Sequence, residues 1–103
     1  MDNGRYYIGT DLKFKITLTA DGFNQKTDNY DIDFYCGSYH KHYTNSNMVE
    51  DVDGNFYLCI PTNNLAPGMM KMVITAYVPD NCFSGHTRKE VESITLGPLK
   101  PAI

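Results

Sequence analysis

NNLAPGMMKMVITAYVP, residues Asn63 to Pro79, carries the chain out of a turn and into its most hydrophobic run. Met70, Met72, Ile74, Ala76 and Val78 recur at a spacing of two, and Lys71, Thr75 and Tyr77 take alternate positions, the pattern of a strand with one buried face. Ala66, Pro67 and Gly68 supply the reversal before it, because proline fixes φ and glycine tolerates positive φ. This run is predicted to be the central strand of the fold.

Working outward, the same alternation recurs. From Asp11 to Ala20, Leu12, Phe14, Ile16, Leu18 and Ala20 face one way, while Lys13, Lys15, Thr17 and Thr19 face the other. After a turn at Asp21-Gly22, Tyr30 to Gly37 forms a second strand with Ile32, Phe34 and Cys36 inward and Asp31, Asp33 and Tyr35 outward. Ser38 to Thr44 reads as a short strand with Tyr39, Lys41 and Tyr43 on one side and His40 and His42 on the other. Asn45 to Asn47 breaks the pattern and Met48 to Val52 resumes it. Asp53-Gly54 then signals a type I′ hairpin that returns through Phe56, Leu58 and Ile60.

In the last strand, Arg88 to Leu96, the apolar residues Val91, Ile94 and Leu96 keep no single parity, which predicts a β-bulge or change of face between Val91 and Ile94. Residues 1–10 read as an irregular or edge segment. Residues 97–103, with Pro98 and Pro101, read as an extended C-terminal tail.

No run of ten residues has helical spacing. Six to eight short strands with regular turn signals predict an all-β, antiparallel, immunoglobulin-like β-sandwich spanning 1–103 as one domain. A chain of 103 residues, 42% of them apolar, can bury roughly 60–70% of its unfolded surface, enough for one core. The Cys…Trp…Cys signature of antibody domains is absent, since the chain has no tryptophan.

Charge narrows the partners. Twelve acidic and nine basic residues leave a net −3 with no basic stripe, so nucleic acid is not expected. No apolar stretch approaches the roughly 20 residues of a membrane span, and the opening MDNGRYYIGT has no signal-peptide core, so a cytoplasmic chain without membrane attachment is expected. The three cysteines Cys36, Cys59 and Cys82 are odd in number and form no CxxC pair, which argues against a disulfide framework. Cys36 shares the inward phase of Ile32 and Phe34; Cys59 has the outward phase.

Chemistry-bearing residues are sparse. Cys36, His40, His42, Cys59, Cys82 and His86 contain H-x-H and two C-x3-H pairs, but these spacings match no standard zinc pattern, and no metal or cofactor is expected. Asp51 to Asn55 resembles the start of a calcium loop but lacks its terminal glutamate, so a hairpin tip is the better reading. Cys82 and His86 have no third residue to orient them as nucleophile and base, and no phosphate-binding loop or nucleophile elbow appears; an enzyme is not expected. Among eight tyrosines, Tyr35 and Tyr57 have outward parity, and Tyr39 and Tyr43 are candidates to join them in a face that binds a glycan, a host surface or a protein partner. Tyrosine also suits half-buried strands for packing alone.

Three stretches together resemble a known group: IGTDLKFKITLTADGF from Ile8, DGNFYLCIPTNNLAPGMMKMVITAYVPD from Asp53, and FSGHTRKEV from Phe83. With Gly9 and Asp11 at the first strand, the turn and strand Asp53 to Leu58, then Thr62, Leu65 and Gly68, they are similar to small β-sandwich modules of phage or prophage structural proteins of gut bacteria, such as the N-terminal domain of baseplate upper proteins. The resemblance implies a non-enzymatic virion or tail protein. It would enter the virion after cytoplasmic synthesis, contacting other structural subunits or copies of itself through edge strands and extended termini.

Overall fold

The computed structural model describes residues 6–103. It contains β1 (Tyr6–Tyr7), β2 (Asp11–Ile16), β3 (Tyr30–Cys36), β4 (Tyr39–Thr44), a 3₁₀ turn at Asn45–Asn47, β5 (Val49–Glu50), β6 (Phe56–Pro61), β7 (Gly68–Pro79) and β8 (Thr87–Lys100). Among the described residues no helix is long and apolar enough to cross a membrane. The part of the expected N-terminal edge segment that precedes Tyr6 lies outside the described residues.

The strands form a five-stranded sheet in the order β1-β8-β7-β3-β4 and a three-stranded sheet in the order β2-β6-β5. β7 is the middle strand of the larger sheet, as its apolar alternation predicts, and Met70, Met72, Ile74, Ala76 and Val78 are all buried. Leu12, Ile16, Leu58 and Ile60 of the smaller sheet join one core with Ile32, Phe34 and the β7 residues of the larger. Tyr30 heads β3 at 0% exposure, so its ring is a core element. At the end of β6, Thr62 is equally buried; its hydroxyl donates to Thr10 O at 2.7 Å and accepts from Gly9 N at 2.9 Å, satisfying the backbone where β1 passes into β2.

Several boundaries differ from expectation, each for a local reason. β2 ends at Ile16, which pairs with Phe56 at the start of β6, so residues 17–20 have no partner strand among the described residues. Gln25 takes that place: its amide donates to Ile16 O at 2.8 Å and accepts from Leu18 N at 3.1 Å. β5 is only two residues long, and of the hairpin tip only Gly54 adopts positive φ, so the turn is not type I′. The Asp51 carboxylate organises it by accepting from the N–H groups of Asp53 and Asn55, both at 2.9 Å.

The β8 irregularity lies further along than expected. Pairing with β7 is regular from Thr87 to Thr95 and shifts where Met70 pairs with Gly97 and Lys71 with Thr95, which makes Leu96 the extra residue. Val91 keeps its parity and points away from the core. The expected tail also starts later, since β8 continues to Lys100 with Leu99 buried beside β1, leaving only residues 101–103 outside a strand.

Candidate interaction surface

The four candidate tyrosines do not form one face. β3 and β4 pair so that Tyr39 opposes Cys36 and Tyr43 opposes Ile32, and directly opposed residues project to the same side of a sheet. Tyr43 therefore belongs to the core, at 8% exposure, and Tyr39 packs edge-on against Phe34 with ring centres 6.4 Å apart. Tyr35 lies on the opposite, outer side of that sheet. Tyr57 lies on the other sheet, where Lys13 Nζ sits 4.5 Å from its ring centre.

Around Tyr35 the outer face carries a polar network. His40 stacks on the Tyr35 ring at 4.5 Å and 8°, and Lys71 Nζ stands 5.4 Å from the same ring. His40 Nε2 and His42 Nδ1 both donate to Asp33 Oδ1, at 2.8 and 2.9 Å, and Tyr77 OH donates to Asp31 Oδ2 at 2.8 Å. The hydrogen bond to Asp33 raises the His42 pKa. Burial pushes the Asp33 carboxyl up, but the hydrogen bonds from His42 and His40 outweigh it and hold the carboxyl below its ordinary value. One face of the Tyr35 ring is thus taken up by His40.

The thiols and imidazoles singled out in the sequence are dispersed. Cys36 is buried in β3, where its Sγ lies 3.5 Å from Ala66 O and burial pushes the thiol up. Cys59 is exposed on β6, and Cys82 and His86 occupy the loop that precedes β8. Among the described residues, no group of three or more His, Cys, Asp or Glu is arranged to hold a metal ion.

The sequence pattern did not reveal one open edge of the larger sheet. From Thr87 to Pro98, β8 pairs with β7 on one side and with no other strand among the described residues, because β1 covers only Leu99 and Lys100. The exposed charges Lys89, Glu90 and Glu92 and the 64%-exposed Val91 lie along this edge. Beside it, residues 17–20 also lack a strand partner among the described residues. Between the two runs a cavity of about 430 Å³ opens, with an apolar lining of Ile16, Leu18, Ala20, Ile74, Ala76 and Ile94, to which Lys15, Glu90 and Glu92 add charge. Arg88 braces the start of the edge: its guanidinium donates to Asp80 Oδ2 at 2.6 Å, Glu90 Oε2 at 2.8 Å and Asp21 O at 3.0 Å. An edge of this kind presents free backbone N–H and C=O groups to which an added strand can bond. The one signal for it in the sequence was the charged run RKEVE at 88–92, which falls where core residues would be expected in a covered strand.

No protein-family model, curated protein or solved structure matches this chain.

Proposed function

We propose that the chain is an immunoglobulin-like β-sandwich that serves as a non-enzymatic assembly module, docking on other protein subunits by strand addition, in the setting of a phage virion or tail. The strand order β1-β8-β7-β3-β4 against β2-β6-β5, with one core fed by both sheets, supports the sandwich reading. The observation that carries the docking role is the edge of β8, paired on one side only from Thr87 to Pro98 among the described residues and adjoining a cavity of mixed apolar and charged lining. Main-chain bonds along such an edge supply affinity, and alternate side chains of the added strand reach the cavity for specificity. The virion setting rests on the resemblance of the three stretches named above.

Two measurements test this reading. Particles purified after prophage induction of the source strain are expected to contain peptides of this chain in stoichiometric amount; abundant particles without them would remove the virion setting. Hydrogen exchange of the purified chain mixed with those particles is expected to slow at the β8 amides. Protection elsewhere, with β8 unchanged, would move the docking site.

A further inference from the structure

We infer that the β8 edge pairs with the same edge of a second copy, antiparallel about a two-fold axis at Glu90. Arg88 of each strand then opposes Glu92 of the other. The inference rests on the reading of β8 as a docking edge and names its partner.

Pairing with β7 assigns the faces. Lys89 and Val91 oppose Tyr77 and Thr75, on the outer side, while Arg88, Glu90 and Glu92 oppose Val78, Ala76 and Ile74, on the core side. Residues directly opposed across an antiparallel pair share a side. With Glu90 on the axis, Arg88 opposes Glu92 of the second copy and Lys89 opposes its Val91, each contact occurring twice by symmetry. A guanidinium has five N–H donors, and Arg88 uses three of them within its own chain, leaving donors for the second Glu92. The two Glu90 side chains face each other across the axis, each accepting from its own Arg88 Nε at 2.8 Å, which lessens their repulsion. On the outer side the aliphatic stem of Lys89 covers Val91, which is 64% exposed in the single chain.

Neighbouring arrangements fail on charge. An axis at Lys89 sets Arg88 against Glu90 but opposes Lys89, which has no carboxylate partner among the described residues, to itself, whereas each Glu90 has its own Arg88. An axis at Val91 opposes Glu90 to Glu92 twice, and parallel in-register pairing sets every charge against its like. Charges on an edge strand ordinarily reject other strands. Here their order, basic then acidic, rejects the slipped and parallel forms and accepts one closed, two-fold form, which ends growth at a dimer.

Sedimentation velocity of the full chain tests this. A strand-edge contact falls at the low end of interface areas, so a dimer with Kd of about 10–100 µM, weakened by added salt, is expected. Glu92→Lys, at an exposed position, is expected to raise Kd at least about tenfold by opposing Arg88 with a cation. With Cys59→Ser and Cys82→Ser in place, Glu90→Cys is expected to give a disulfide-linked dimer on mild oxidation and Ser93→Cys is not. Opposed Cα atoms of antiparallel strands lie roughly 4.5–5.5 Å apart, within disulfide reach, only at the axis. A single monomeric species at about 1 mM, or equal crosslinking at both positions, overturns the inference. If the monomeric chain still gains β8 protection on particles, the assembly reading stands and only the partner is wrong. A dimer absent from particles upholds the edge pairing and removes the virion setting instead.

Discussion

Asp33 places one carboxylate oxygen between two imidazoles, and the sign of the resulting pH dependence follows from the shifts. His42 has its pKa raised by the hydrogen bond to Asp33, so the stability it contributes is fully present below its unfolded value of about 6.5 and is lost as pH rises through the elevated folded value. Asp33 has its pKa lowered, so its contribution is present above about pH 4 and is lost as pH falls through the depressed value. The network is therefore strongest between about pH 4 and 6.5. The carboxyls of Asp51 and Asp80 are also lowered, first by backbone hydrogen bonds from Asn55 and Cys82, so only the alkaline limb isolates the histidine. Thermal midpoints recorded from pH 5.5 to pH 8.5 are expected to decline slightly for the native chain and less for Asp33→Asn; identical slopes would show that the pair contributes nothing. Parity in the sequence set both aspartates outward and both histidines on one side of β4. That His42 faces Asp33 depends on the register between the strands, which no local pattern encodes.

At the scale of elements, Gly68 has a role that its place in Ala-Pro-Gly conceals. A Cβ built there would lie 2.8 Å from Gly37 N and 2.9 Å from Gly37 Cα, so the start of β7 passes the end of β3 backbone against backbone. Gly68→Ala is expected to cost about 1–3 kcal/mol in denaturant unfolding, since neither neighbour is a side chain that can swing away. An unchanged midpoint would mean that the two strands can part at this end without loss. The strands themselves were legible because β7, β3 and β6 alternate without interruption. What was not legible is where each stops: β2 looks ten residues long by alternation, yet its pairing ends at Ile16 because β6 offers no residue beyond Phe56. Likewise the parity of Val91 reflects an uncovered strand, and the bulge sits at Leu96.

For the whole molecule, the two sheets have no separate cores to fall back on, since Leu58 and Ile60 from one sheet share a cluster with Phe34 and Ile74 from the other. Leu58→Ala is expected to cost about 2–5 kcal/mol and to lower one cooperative transition, seen identically by far-ultraviolet circular dichroism and tyrosine fluorescence. Two separated transitions would mean that the larger sheet stands alone. Alternation told which side of each strand is buried, but not that β3 would find β7 across more than thirty residues of intervening chain; hence the strand order and the scattering of the four tyrosines were beyond reach from sequence, and the open β8 edge left only the charged run at 88–92 as a trace. The parallel pairing of β1 with β8 has a mechanical side. Tension applied through Tyr6 and Lys100 pulls these neighbouring strands past one another lengthwise, so the bonds from Tyr6 to Ile8 bear load in shear together rather than opening one at a time. A chain under tension between those two residues would resist at that seam first.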